Sequence, residues 1–345
     1  MAKLLRACDI PLALAIMALT VIIAGGFVRI HDAGESCPDW PTCFGTLGFD
    51  VSEEEQTAWY EANPDEVDSR GENHRYTSFE IFTEWFHRLL ATSSGAVVIL
   101  GLVLVRKSRD ELSDENWKAA IIALIVVISQ GALGAITVIF DNHSWSVVLH
   151  LMFALIYTGW LLWWWLLWRR DVGALPNWAD LSKNMAQDEK TFFGIATLVT
   201  LPVLLLGVWI ATGEGGSYNG GCSVGWWQGW PLCQGSVIPD LGSMATLAAW
   251  VHRFAVLLVG VWLVKGYLDL RKRLEGGSKN LEWVFGLGVL AFILNIVVGA
   301  SYVIIAGDGE FPELLSLLHL DLATDSILLF GLGYTLCILN QYGDS

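Results

Sequence analysis

The stretch WFHRLLATSSGAVVILGLVLV, residues 85–105, decides the fold of this chain. Beyond its first four residues it carries no charged side chain, and it has the roughly 20 residues that an α-helix needs to cross a bilayer. Seven further stretches meet the same requirement: 11–28, 119–140, 147–168, 192–211, 248–268, 284–306 and 315–338. The sequence therefore predicts an all-α polytopic membrane protein with eight transmembrane helices.

The composition agrees with this class. Of the 345 residues, 54% are apolar and 16% are charged, whereas soluble proteins have about 45–50% apolar and about 25% charged residues. These values exclude a disordered chain, a nucleic-acid-binding protein and an ordinary soluble enzyme. The net charge is −15, but the region 32–84 alone holds 14 acidic and two basic residues. We therefore assign the acidity to one loop, 29–84.

The distribution of Lys and Arg predicts the orientation. Fifteen of the 20 basic residues, beginning with Lys3 and Arg6, lie before span one or between spans two and three, four and five, or six and seven. The segment 212–249 contains none. By the positive-inside rule, both termini are cytoplasmic and the long loops 29–84 and 212–249 face outward, in the cell membrane. The first span lacks a clean cleavage site, so we interpret it as a retained helix.

The chain also repeats itself once. Three motifs of the first half recur in the second: WFHR at 85–88 as WVHR at 250–253, LHL at 149–151 as LHL at 318–320, and WPTCFG at 40–45 as WPLCQG at 230–235. Each half contains four spans, an even number, so both halves have the same orientation. We predict two tandem four-helix bundles, 1–170 and 191–345, related by a pseudo-two-fold axis along the membrane normal and joined by a cytoplasmic linker, 171–190.

Four of the seven histidines lie inside predicted spans, about one helical turn, or roughly 6 Å, from the outer end. They are His87, His150, His252 and His319. Two histidines at equal depth on two helices of one bundle can bind both faces of a haem iron, and this arrangement occurs twice. Zinc is less favoured because it usually takes four ligands that include Cys or carboxylates. For any single histidine, the alternative is a neutral ring bonded to a neighbouring helix.

Charged residues flank these histidines. Arg88 and Arg253 each follow one, and two interpretations stay open: pairing with a haem propionate or snorkelling to the interface. Glu84 precedes His87 by three residues on the same helical face, whereas the matching position in the second half is Ala249. This asymmetry indicates a reactive site in the first half and a permanent cofactor in the second. The alternative is that Glu84 is a favourable charge at a helix N-terminus.

The cysteines of the outer loops form two pairs, Cys37 with Cys43 and Cys222 with Cys233. Disulfides persist on the oxidising outer side, and each pair is close enough in sequence to close a small loop. We favour a structural staple over thiol–disulfide exchange. If exchange occurs, Cys37 and Cys43 are the better candidates, because they share a half with Glu84.

Two motifs place the chain near a known family. GESCPDWPTCFG at 34–45 resembles the first-loop signature of haem A synthases, and EWFHR at 84–88 resembles their Glu-x-x-His-Arg motif. The four membrane histidines and the tandem repeat also match. Compared with that family, the acidic insert from about 46 to 80 is long, and ten residues separate Cys222 from Cys233.

The resemblance implies an activity and its site. A haem A synthase oxidises the C8 methyl of haem O to a formyl group, through a hydroxymethyl intermediate, to make haem A for cytochrome oxidase. By this resemblance the first half binds the substrate haem, the second half binds haem b, and Glu84 is the catalytic acidic residue. The implied ligands are His87 and His150 for the substrate haem iron, and His252 and His319 for the haem b iron.

Two other functions fit parts of the sequence. One is a di-haem b electron-transfer protein of the quinol-linked cytochrome b type. The other is a transporter with parallel repeats, which predicts helices broken near mid-membrane. Asp321 and Asp325 in span eight either handle protons or pair with helix polar groups. The expected partners are haem O and the lipid bilayer; haem O synthase, cytochrome oxidase assembly factors and a second copy of the chain are further candidates, and nucleic acid is not.

Overall fold

A computed structural model describes residues 7–66, 68, 70–71, 73–212, 221–275, 279–306 and 312–341. Lys3 and Arg6, which contributed to the predicted orientation, lie outside these ranges. Within them, eight helices are long and apolar enough to cross a membrane, as predicted. They are α1 (Ile10–Ile30), α3 (Ser78–Lys107), α4 (Asp114–Ile139), α5 (Ser144–Asp171), α6 (Lys183–Ala211), α7 (Met244–Arg273), α8 (Asn280–Ile305) and α9 (Glu313–Gln341). A shorter helix, α2 (Glu53–Ala62), lies in the acidic loop.

Helix α3 begins at a capping box. The backbone N–H of Glu80 donates to Thr77 Oγ1 at 3.3 Å, and the Glu80 carboxylate accepts from the Thr77 N–H at 2.7 Å. Two otherwise unpaired backbone groups are thereby satisfied. The far end carries Arg106 and Lys107, which interact favourably with the negative end of the helix dipole. The cap fixes where α3 starts and so the depth at which it holds His87.

The long helices pack as two groups of four. Helix α1 packs against α3 and α5, and α4 packs against the same two; likewise α6 packs against α7 and α9, and α8 packs against both. Helix α9 also contacts α1 and α5, and α5 contacts α6. Helix α6 begins at Lys183, so the segment joining the two groups is 172–182, shorter than the predicted linker 171–190. The pseudo-two-fold axis and the domain limits 1–170 and 191–345 stay predictions.

The main core lies toward the end of the molecule at which α1 begins and α9 ends, called here the terminal side. Its largest fully buried side chains are Trp164, Trp168, Phe193, Phe285 and Phe330. In a bilayer such contacts stabilise by close packing, since lipid tails are as apolar as the side chains. The opposite end, called the loop side, carries the four histidines and holds none of these large aromatic residues. The bundle is therefore filled on its terminal side and hollow on its loop side.

The acidic loop has a small core of its own. Cys37, Cys43, Phe44, Val51, Tyr76 and Ile81 are buried together there. The Tyr76 hydroxyl donates to the Asp68 carboxylate, and Tyr60 Oη lies 3.5 Å from it. Burial raises the pKa of Tyr60 and of Tyr76, and the nearby Asp68 charge raises both further. Both hydroxyls therefore stay protonated at neutral pH and remain able to donate.

Candidate functional site

A cavity of about 1200 Å³ occupies the loop side and reaches both groups of four helices. Its lining includes every predicted site residue except the cysteines: Glu84, His87, Arg88, His150, His252, Arg253 and His319. Most of the remaining lining is apolar. Small-molecule pockets usually have about 300–1,000 Å³, so this cavity has room for more than one ordinary ligand.

Each of the four histidines packs against a glycine on the neighbouring helix. A Cβ atom built on that glycine would lie 2.7–3.3 Å from the histidine Cε1, a distance at which the ring or the helix must shift. The pairs are His87 with Gly25 (3.1 Å), His150 with Gly134 (3.3 Å), His252 with Gly207 (3.1 Å) and His319 with Gly299 (2.7 Å). The glycines therefore leave the space into which each imidazole projects its Cε1 atom.

The rings form two pairs in the cavity lining, His87 near His150 and His252 near His319. His319 Nδ1 lies 3.1 Å from the carbonyl oxygen of Asn295, one turn before Gly299. A bond from Nδ1–H to a carbonyl leaves Nε2 free as a ligand atom.

The rings of His87, His150 and His252 lack the Nδ1 contact to a carbonyl that His319 makes. Their Nδ1 atoms are buried and make no hydrogen bond of normal geometry with any part of the chain that the structure describes. A backbone group of Val21 lies near His87 and one of Val203 lies near His252, and each valine again stands one turn before the packed glycine. Paired buried imidazoles in an apolar cavity fit the axial ligation of haem iron. In the described ranges, no cluster of three or more His, Cys, Asp or Glu fits a bare metal ion such as zinc.

Glu84 and Arg88 form a buried ion pair beside His87. Arg88 Nε lies 2.6 Å from Glu84 Oε1, and the two side chains are only 12% and 7% exposed. The rest of the guanidinium donates to the loop closed by the first cysteine pair: to the carbonyls of Asp39 (2.5 Å), Thr42 (3.3 Å) and Cys37 (2.7 Å). Four of its five N–H groups are thus used. Arg88 therefore fastens the loop to α3, a role that the sequence analysis missed; its pairing with a propionate stays a prediction.

Arg253 makes the matching contacts in the second half. Its Nη1 donates to the carbonyls of Gly229 (2.5 Å) and Leu232 (2.9 Å), which stand 190 positions after Asp39 and Thr42. Two indole N–H bonds repeat in the same way: Trp85 to the Leu47 carbonyl (2.8 Å) and Trp250 to the Val237 carbonyl (2.9 Å). Both outer loops are therefore held over the cavity by the same bonds.

Both predicted disulfides are present, Cys37–Cys43 and Cys222–Cys233. Each closes the loop whose carbonyls accept from the arginine below it. This placement agrees with a staple that shapes the roof of the cavity. Thiol–disulfide exchange at Cys37 and Cys43 stays a prediction.

The second half differs from the first around its histidines. Ala249 replaces Glu84, and Tyr302 stands where the first half has Thr137, 165 positions earlier. The Tyr302 ring stacks on His319, with ring centroids 6.2 Å apart and planes at 22°, and lies beside Arg253. Tyr302 was not among the residues predicted from the sequence, although alignment of the two halves pairs it with Thr137. Asp325 lines a separate pocket of about 190 Å³ between α1, α5 and α9, and the roles of Asp321 and Asp325 stay predictions.

Comparison with known proteins gives consistent matches. A sequence model of the COX15-CtaA family, described as cytochrome oxidase assembly protein, matches residues 10–324. A heme A synthase of Novosphingobium aromaticivorans is 28% identical over 83% of this chain and 85% of its own length. Heme A synthases of Symbiobacterium thermophilum (25% identity, 93% and 92% coverage) and Halalkalibacterium halodurans (24%, 93% and 93%) match almost end to end. These matches do not support the quinol-linked cytochrome b alternative.

Proposed function

Because this chain belongs to the COX15-CtaA family of cytochrome oxidase assembly proteins, we propose that it is a haem A synthase. In this proposal it is a multi-pass membrane oxidoreductase that converts the C8 methyl of haem O to a formyl group through a hydroxymethyl intermediate. One observation carries the proposal: a single cavity contains two matched histidine pairs, and among the residues that the structure describes only the first pair has a buried carboxylate beside it.

The two pairs receive different haems in this proposal. His87 and His150 bind the iron of the substrate haem, and His252 and His319 bind the iron of haem b. When bound, haem b supplies a redox centre that accepts electrons from the substrate oxidation. The assignment rests on Glu84, because a reacting group needs a nearby proton acceptor and a stored cofactor does not. The stacked Tyr302 ring supports it, since it restrains His319 against movement.

Glu84 is the proposed catalytic residue. Each oxidation of the methyl carbon requires protons to leave the substrate edge, and a carboxylate held in a site of low dielectric can take a proton or stabilise positive charge there. Of the other acidic residues in the lining, Asp32 is exposed to solvent, and the Asp39 carboxylate accepts from Thr42 and from the Gly45 N–H. Of these three residues, Glu84 alone stands on the same helix as a cavity histidine, three residues before His87.

Arg88 positions Glu84. It binds one carboxylate oxygen through Nε and is itself fixed by three carbonyls of the outer loop. A carboxylate held in this way needs no reorganisation when charge develops on the substrate. The loop also covers the cavity, since Pro38, Asp39 and Trp40 belong to its lining. The loop therefore both orients the base and limits water access to it.

The proposed setting is the cell membrane, with both termini cytoplasmic and the cavity beneath the outer leaflet. The distribution of basic residues supports this orientation. A second copy of the chain, haem O synthase and cytochrome oxidase assembly factors stay candidate partners.

The test is chromatography of haems extracted from a bacterial host that makes haem O but lacks its own haem A synthase. With this chain we expect haem A or its hydroxymethyl precursor, and with an empty vector neither. A chain that is purified with haem b but leaves haem O unchanged in the host would contradict the proposal and favour an electron-transfer protein.

A further inference from the structure

The cavity extends along the first half between α3 and α4, in what we call the α3–α4 groove. Six lining residues define it: Ala91, Gly95 and Ile99 on α3, and Ile128, Gly131 and Ala135 on α4. Ile99 stands twelve residues beyond His87, which is about 18 Å at 1.5 Å per residue. The groove therefore runs from the histidine layer far toward the terminal side.

The groove is open along its length. A Cβ atom built on Gly95 or Gly131 would have no atom of the described chain within 4 Å, apart from its immediate chain neighbours and its own helix backbone. Ile99 and Ile128 line the groove and are 52% and 63% exposed, so neighbouring helices do not cover them. Since this surface lies within the membrane-spanning part, the groove opens sideways toward lipid.

The second half closes the matching position. There a Cβ on Gly260, the counterpart of Gly95, would lie 3.3 Å from Phe292 and 3.6 Å from Ile296. Those two residues stand where the first half has Val127 and Gly131. On α7 the cavity lining ends at Val256, four residues or about 6 Å from His252. Two larger side chains thus fill in the second half what is an open groove in the first.

We propose that the α3–α4 groove binds the isoprenoid tail of the substrate haem. The inference rests on the proposed function. Haem O carries a long farnesyl-derived chain on its porphyrin edge, and haem b carries none. The site assigned to the tailed haem has a long apolar groove leading from its histidines, and the site assigned to the tailless haem has that groove filled. His87 and His150, whose buried Nδ1 atoms lack hydrogen bonds of normal geometry, mark the end of the groove at which the porphyrin binds.

The decisive variant is Gly131→Ile, which gives the first half the residue that fills the second. Purified protein that retains its resident haem is titrated with haem O and, separately, with haem B, which has the same porphyrin without the tail. We expect wild type to bind haem O at least tenfold more tightly than haem B. Gly131→Ile should lose this preference and bind haem B within twofold of wild type.

Two further variants keep the result interpretable. Val127→Phe introduces the other residue that fills the second half. It should lose the haem O preference in the same way, and it serves as the test if Gly131→Ile folds poorly. Gly159→Ile is the control: Gly159, on α5, also has open space around it but does not line the cavity, and its haem O preference should be unchanged. The absorption of the resident haem reports folding in each case.

Each other result has a definite meaning. An unchanged preference in Gly131→Ile and Val127→Phe overturns the proposal, as does a wild type that does not distinguish the two haems, in which case a lipid chain is the better occupant. Equal loss of both haems also overturns it, because the groove would then belong to the porphyrin pocket. A further outcome is that wild type prefers haem O over haem B and the variants abolish that preference, while wild type makes no haem A in the host. The proposal that the groove binds the tail is then supported, and the proposed oxidation is contradicted.

Discussion

The two halves of this protein build their histidine pairs from the same parts and surround them differently. In both, each imidazole lies against a glycine, and an arginine ties a disulfide-closed loop to the helix below. Four matched pairs of cavity residues differ in the same sense: Glu84 and Ala249, Thr137 and Tyr302, Val127 and Phe292, and Gly131 and Ile296. In each pair the first half has the acidic or smaller residue, and the second has the inert or space-filling one. The shared parts suit binding of a macrocycle, and the differences are the basis on which we propose a reacting site in the first half and a cofactor site in the second.

The largest expected contrast comes from removing one histidine pair at a time. His252→Ala with His319→Ala should yield protein without its resident haem. His87→Ala with His150→Ala should retain that haem but make no haem A, because only the substrate loses its ligands. Absorption spectra and haem chromatography of the purified proteins check this. Equal loss of the resident haem from both double variants would mean that the halves do not divide the work.

A second contrast concerns the carboxylate. Glu84→Gln should lower haem A formation about 10²–10⁴-fold, the usual contribution of a positioned proton acceptor, and should leave the resident haem in place. Glu61→Gln, in the exposed part of the acidic loop, is a matched control and should have no effect. Normal haem A formation by Glu84→Gln would remove Glu84 from the mechanism.

A third contrast uses the glycines. The Cβ of Gly299→Ala would meet His319 Cε1 at 2.7 Å, so the ring must move, whereas that of Gly134→Ala would meet His150 at 3.3 Å, which a small shift relieves. We expect Gly299→Ala to lose much of the resident haem and Gly134→Ala to raise the KM for haem O only a few-fold. Haem content per protein and steady-state rates measure the two effects. The opposite ranking would show that ring packing does not control ligation.

The smallest contrast separates the arginines. Lysine has one ammonium group and cannot reproduce the several directed bonds of a guanidinium. Arg88→Lys and Arg253→Lys should each destabilise the protein by about 1–3 kcal/mol, the cost of leaving buried acceptors unpaired, and thermal unfolding would show it. Only Arg88→Lys should also lower kcat, because Arg88 positions Glu84, the proposed catalytic carboxylate. A kcat loss of the same size in Arg253→Lys would contradict this role.

The sequence predicted those features that depend on large local free energies. Apolar length identified all eight spans, and the cost of placing ionisable groups in a bilayer singled out the four histidines. Both cysteine pairs and the family were also predicted correctly. The tandem axis, the domain limits and the direction of the termini stay predictions.

Other features depend on which residues contact each other between two helices, and these contacts cannot be predicted from a single sequence. The contacts of Gly25 and Gly207, the stacking of Tyr302 and the open α3–α4 groove are of this kind. The carbonyls bound by Arg88 were not predicted, because every residue has a backbone carbonyl and residue type does not show which of them accepts a hydrogen bond. The insert 46–80 was described only by its charge, whereas its few apolar residues, such as Val51 and Tyr76, build a core with α2 beside it.

The most direct test of the central claim is an experimental density map of the purified protein saturated with haem O. The account predicts two macrocycles in one cavity: a tailed one between His87 and His150, with its edge beside Glu84, and a tailless one between His252 and His319. A tailed haem bound in the second half, or a first half without any macrocycle, would contradict it.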